Sequence, residues 1–173
     1  MAALGVDEAQ ERRIRSGLRL FRAVLAADED IATKVDSGGS LQLAVVYVGD
    51  RNLALSFADE LRQLSQGKKG AIRKLPVQVR VHSQAELAAA PSTPAGIYVV
   101  EALSDEALNS VVRFGIDRGI IVYSPYEGHV TRGVLGGLII ETRVRPYINL
   151  RTMRESKLRI KEFFLRVAKH YDP

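Results

Sequence analysis

Cysteine is absent from the 173-residue chain, which excludes disulfides and thiolate metal sites and leaves the redox compartment unread. No stretch of 18 apolar residues occurs, so no segment has the length and hydropathy of a membrane-spanning helix. Histidine is scarce: His82, His129 and His170 are far apart in sequence, and without cysteine they suggest no metal cluster. Gly133-Val134-Leu135-Gly136-Gly137 is rich in glycine, but it leads into a strand and lacks the Lys-Ser/Thr of a phosphate-binding loop. No serine lies in a nucleophile elbow. The six Tyr and five Phe do not alternate along one strand beside basic residues, as an RNA-binding sheet requires, so nucleic acid is not the expected partner. No catalytic residue, metal or cofactor is assigned.

The chain has the length of one domain, residues 1–173, and is large enough to bury its apolar surface without staples. Its net charge of +5 is unevenly placed. From Arg143 to His170 nine Lys/Arg face two acids, so this segment is +7; the remainder, sixteen basic against eighteen acidic side chains, is −2. A concentrated positive surface suits an acidic protein, an anionic lipid surface or nucleic acid, and net charge does not choose among them.

Periodicity places the elements. Residues 7–27 carry Ile14, Leu18, Phe21 and Leu25 at helical spacing, with Arg12, Arg15, Arg19 and Arg22 as a parallel cationic stripe, read as a solvated face supported by Glu8 and Glu11 one turn earlier. After the turn cluster 36–40, residues 41–48 are nearly continuous apolar and β-branched, which fits a strand covered on both faces. Gly49-Asp50 then leads into a helix with Leu53, Phe57, Leu61 and Leu64 as its stripe. A half-exposed strand follows at Val77, Val79 and Val81, a short helix within 83–90, a buried strand at 97–100, a helix from Asp105 to Phe114 capped by Ser104, and a strand at 119–123. Strand, glycine turn and helix in repetition indicate an α/β fold: a mostly parallel, doubly wound sheet flanked by helices.

The end of the chain has a different pattern. Leu138-Ile139-Ile140 and the alternation of Val144, Pro146, Ile148 and Leu150 form an antiparallel hairpin, reversing at Thr142-Arg143. Pro146 lacks an amide donor, so its strand is expected at an edge or with that side free. From Met153 the spacing of Lys157, Ile160, Phe164, Val167 and Ala168 predicts one closing helix.

These residues also carry a resemblance. Val144-Arg145, Ile148-Asn149-Leu150, Leu158-Arg159-Ile160 and Phe164 to Ala168 resemble the carboxyl end of the YfiR-like family, and Leu43 to Asp50 resembles that family's first strand and turn, a likeness over roughly residues 12 to 170. The resemblance implies a non-catalytic, homodimeric, periplasmic regulator that restrains the periplasmic sensor region of a membrane-bound signalling protein, a diguanylate cyclase or sensor kinase, as in c-di-GMP signalling. The first ten residues contain no basic or apolar leader pattern, so a periplasmic location requires a signal upstream of Met1; the alternative is cytoplasmic. The basic hairpin and helix, with Arg145, Arg151 and Arg154, are the expected partner surface.

A second expectation rests on the sheet. Groups beyond the carboxyl ends of neighbouring strands converge on a crevice. Asp50, Arg51, Tyr126, Glu127 and Arg132, with Glu101 nearby, are candidates for a small polar or anionic ligand, the arginines matching an anion. Each has a plainer reading: Asp50 as turn and helix cap, His129 as an ordinary loop residue.

Overall fold

The computed structural model describes the backbone of residues 2–173 and the side chains of residues 8–173; Met1, on which the reading of the chain's start rests, lies outside them. A seven-stranded sheet is built from β1 (Leu41–Tyr47), β2 (Val77–Ser83), β3 (Gly96–Val99), β4 (Ile121–Tyr123), β5 (Gly136–Ile140), β6 (Val144–Asn149) and β7 (Lys169–Tyr171), in spatial order β2-β1-β3-β4-β5-β6-β7. The first five are mutually parallel, β5 and β6 form the antiparallel hairpin, and β7 lies parallel to β6. The helices are α1 (Ala2–Ala27), α2 (Arg51–Leu64), α3 (Gln84–Ala88), α4 (Asp105–Arg118), α5 (Leu150–Glu155) and α6 (Glu162–Val167). The α/β reading therefore holds, and the order of the first five strands is one of the two common doubly wound arrangements.

Strand residues point alternately to the two faces, and the core divides accordingly. Leu43, Val45, Tyr98, Ile121 and Tyr123 join Ile14, Leu18, Phe21 and Leu25 of α1 and Phe57 and Leu61 of α2 in one cluster. Ala44, Val46, Ile97, Val99 and Val122 meet Leu87, Leu108 and Val111 on the other side. All four apolar residues of the predicted α1 stripe are buried. Its cationic stripe is less uniform: Arg15 pairs with Glu60 at 3.0 Å and Glu11 at 3.7 Å, while Arg22 donates to Ser65 Oγ at 2.6 Å and Gly70 O at 2.8 Å.

The end of the chain departs from expectation. The single closing helix is two short helices, α5 and α6, followed by β7. Between them Lys157 takes a left-handed conformation, φ 57°, and the segment 159–161 pairs with the end of α1 through Glu29 N to Arg159 O and Lys161 N to Ala27 O, both 2.9 Å. Those bonds use backbone groups that a continuous helix would keep internal. The three- and four-residue spacing arose because Ile160, Phe164 and Ala168 are buried from different elements.

The hairpin loop contains three residues, Glu141 to Arg143, closed by Glu141 N donating to Arg143 O at 3.1 Å. Pro146 behaves as its chemistry demands. Asn149 N donates to Leu135 O on the β5 side, so by alternation the amide position of residue 146 faces away from β5, and β7 begins only opposite Tyr147. No helix among the described residues is long and apolar enough to cross a membrane.

Candidate functional site

Strand order reverses between β1 and β3, because β1 connects outward to β2 while the chain then returns to β3 on its other side. Loops leaving these two strands diverge there, at the position where such sheets hold ligands. At this point the Glu101 carboxylate lies beneath the β1 to α2 loop. Its Oε1 accepts from the backbone N–H groups of Val48, Gly49 (2.8 Å) and Asp50 (3.3 Å). The sequence places Val48 in the strand, but β1 ends at Tyr47, and Val48 is 52% exposed. A cluster of N–H donors at a strand end favours negative charge, and here a side chain of the protein supplies it.

Asp50 caps α2, its Oδ1 accepting from Leu53 N at 2.9 Å. Tyr126 donates its hydroxyl to Val100 O at 2.5 Å, and its phenol is pushed up to about 12 by burial and by the negative Glu101 and Asp50 beside it. Asp50, Glu101 and Tyr126 therefore converge. The other predicted residues do not join them. Arg51, the first residue of α2, lines a groove on the β2 side of the sheet. Arg132 is paired with Asp105 and also donates to Gly128 O at 3.2 Å. Glu127 is exposed on the loop.

That loop contains a pair that sequence reasoning missed. Ser124 Oγ and His129 Nδ1 lie 2.6 Å apart, both residues are 1% exposed, and Tyr126 N donates to the same hydroxyl at 3.2 Å. Burial, reinforced by Arg132, lowers the imidazole to about 4. His129 is thus neutral, and its Nδ1 shares a hydrogen bond with the serine hydroxyl. Hydroxyl and imidazole at this spacing have the composition of a nucleophile and base, but both are sealed inside and their bonds fix the loop. The spacing of five residues was the available signal, though without burial it does not distinguish a lock from a reactive pair. Among the described residues no three His, Asp or Glu side chains are grouped to hold a metal ion.

The basic carboxyl segment is extensively paired. Arg145 meets Glu141 at 3.5 Å, Arg151 meets Glu155 at 3.1 Å, and Arg154 meets Asp172 at 2.7 Å. Arg159 reaches Asp30 at 2.5 Å, and Lys169 reaches Glu141 at 2.9 Å. Asp30, Glu141 and Asp172 lie outside the segment 143–170, so a charge count over that segment overstates its field.

The fold defines the class: a doubly wound α/β domain with its switch point between β1 and β3, extended by an antiparallel hairpin and a seventh strand. No family model matches the chain, and no curated protein does. Among solved structures it is similar to the ABC domain in complex with L-Trp from Streptococcus pneumonia, with a TM-score of 0.60 and 13% identity over 89% of this chain and 61% of that one. It is also similar to a conserved domain protein from Vibrio cholerae O1 biovar El Tor, with a TM-score of 0.59 and 13% identity over 92% of this chain and 60% of that one. The chain thus spans about 60% of the length of both. At this identity the likeness concerns the fold.

Proposed function

We propose that this chain is a non-catalytic regulatory or sensor domain that binds the periplasmic part of a membrane signalling protein, a diguanylate cyclase or sensor kinase, and restrains it. The supporting observation is where apolar surface stays uncovered. Ile140, Val144, Phe163 and Val167, each at least 43% exposed, are four of the five exposed large hydrophobic side chains among the described residues, and all four belong to the hairpin and α6. Arg145 lies among them, donating to Val167 O at 3.4 Å, and Arg151 and Arg154 remain more than half exposed despite their acidic partners. Exposed apolar side chains with Arg145 beside them have the composition of a protein interface. Restraint requires only that this face hold one conformation of the partner more tightly than another. The periplasmic location belongs to the same proposal.

A photo-crosslinking residue at position 163 or 167, introduced into the chain in its own cells, tests it. Capture of a membrane-anchored signalling protein is expected. Capture of only a second copy would assign the face to the homodimer, and no capture at either position would remove the proposal.

A second reading has an observation of its own. Glu101 occupies a cluster of three backbone donors at the point where doubly wound sheets bind ligands, and a structural neighbour of this fold holds an amino acid. In this reading the anionic group of a ligand displaces Glu101, and Asp50 and Tyr126 meet the ligand's remaining polar groups, with Arg51, Glu127 and Arg132 at the periphery. A thermal-shift screen of amino acids and nucleotides tests it, since a ligand at a hundred times its dissociation constant adds about 2.7 kcal/mol. No shift across the panel would remove this reading.

A further inference from the structure

A further concave surface lies along the β2 edge of the sheet. A groove of about 1510 Å³ follows the outer edge of β2, between that strand and the outer side of α2. Every residue from Pro76 to His82 lines it, so it runs along the strand itself. Around it stand Arg51, Arg62, Lys68, Lys74, Arg80 and His82, with no Asp or Glu in the lining. Its floor is apolar, with Leu55, Val77 and Val79.

The backbone supplies the second half of the argument. Leu41 N donates to Pro76 O, so the even-numbered residues of β2 direct their peptide groups toward β1. By alternation Val77, Val79 and Val81 direct their N–H and C=O groups outward, into the groove. Among these, the Val79 carbonyl already accepts from Arg62 Nη2 at 2.9 Å. A seven-residue edge strand with outward-facing amides is a template for another strand.

A strained turn helps to frame the opening. Ile72 N donates to Leu75 O at 3.0 Å and Leu75 N to Ile72 O at 2.9 Å, while Arg73 and Lys74 both have positive φ, 50° and 68°. This geometry normally takes Asn-Gly. Each side chain held there costs about 1–2 kcal/mol, yet the turn sets Lys74 at the groove.

We propose that the β2 edge groove receives an extended acidic segment of a partner protein as an eighth strand, its backbone paired with Val77, Val79 and Val81 and its carboxylates held by Lys68, Lys74 and Arg80. Seven paired residues span about 23 Å, the reach of a short extended peptide. The groove exceeds the roughly 300–1000 Å³ of ordinary small-molecule pockets, which favours a chain over a small anion. Main-chain bonds would provide affinity and the cationic walls selectivity. This inference is independent of the crevice and of the hairpin face.

The test uses a capped octapeptide of alternating glutamate and valine, its lysine-valine counterpart, and inorganic tripolyphosphate, with amide resonances of the full chain as the readout. The acidic peptide should slow exchange at the amides of Val77, Val79 and Val81 and bind more weakly as salt rises, and the lysine peptide should leave these amides unchanged. Val81→Pro removes one outward donor without touching the β1 ladder and should weaken binding about tenfold. Lys68→Glu and Lys74→Glu, both at exposed positions, should do the same through charge. Equal binding of the lysine peptide, absence of amide protection, or full competition by tripolyphosphate with unchanged affinity in Val81→Pro would each overturn the proposal.

Discussion

A methyl group placed on Gly17 would lie 2.5 Å from the Tyr98 hydroxyl, which itself donates to Ile14 O at 2.5 Å on the same helix. Tyr98 stacks on Tyr123 at 5.7 Å between ring centroids, and Phe21 packs against both. Gly17 is therefore where α1 comes down onto the aromatic centre of the sheet. Gly17→Ala should destabilise the fold by about 1–3 kcal/mol in denaturant unfolding, despite alanine's better helix propensity, because the ring has no free space to enter. Tyr98→Phe removes the clashing oxygen, so the double variant should recover part of the loss. Additive losses would refute this account of the contact.

Lys157 ends α5 as a glycine would. Leu158 N donates to Met153 O at 3.1 Å and Lys157 N to Arg154 O at 3.0 Å, the paired bonds of a Schellman cap, with Lys157 at φ 57°. Gly119 closes α4 with the same pattern at φ 66°. Lys157→Gly should raise stability by about 0.5–1 kcal/mol, the left-handed cost exceeding the added freedom of the unfolded chain. Chemical denaturation with an unchanged m-value measures it.

What could be read from the sequence follows from locality. The β1 to α4 region was legible because each strand or helix there announces itself within its own residues: Val45 and Val46 by branching, Ser104 by its position before Asp105. Asp50 was likewise read as a cap, since the N–H it satisfies is three residues away. Ion pairing in the tail was not legible, because Arg159 finds Asp30 across 129 positions. The closing helix was misread because burial of Ile160 and Phe164 imitates one stripe while the backbone between them pairs with α1. For the crevice, the strand ends were placed correctly, but Glu101 filling it depends on a hydrogen-bond geometry that no spacing encodes.

The buried His129 gives the fold a pH dependence. Its folded value of about 4 lies below the usual 6.5, so the unfolded chain binds more protons across that interval. Stability is fully present above about pH 6.5 and falls as pH drops toward 4, by an amount on the order of 3 kcal/mol. Asp30, Asp36, Glu141 and Asp172 have carboxyls held below their usual values by Arg159, by backbone N–H and Gln42, by Lys169, and by Arg154 respectively; their contribution is lost only in the more acid range. Unfolding free energies measured from pH 7.5 to 4 should therefore decline in the parent and flatten in His129→Asn, whose amide keeps a hydrogen-bond partner for Ser124 without a titrating group. An unchanged slope in the variant would assign the decline elsewhere.

Glu101 closes off the backbone donors at the end of β1. Its carboxylate satisfies three N–H groups at the end of β1, and a charged acceptor for such donors contributes about 1.5–3 kcal/mol per good bond. Glu101→Gln keeps an acceptor oxygen without the charge and should cost about 1 kcal/mol, whereas Glu101→Ala leaves the donors to water and should cost about 2–3 kcal/mol. The same truncation exposes the donor cluster at the strand end. In Glu101→Ala, inorganic phosphate should raise the melting temperature and perturb the amides of Val48, Gly49 and Asp50, while the parent shows neither effect. If phosphate stabilises both proteins equally, it binds elsewhere, and Glu101 does not guard the crevice. If those three amides shift only in the variant, the carboxylate holds the position of an anion, and ligand binding there must first release it.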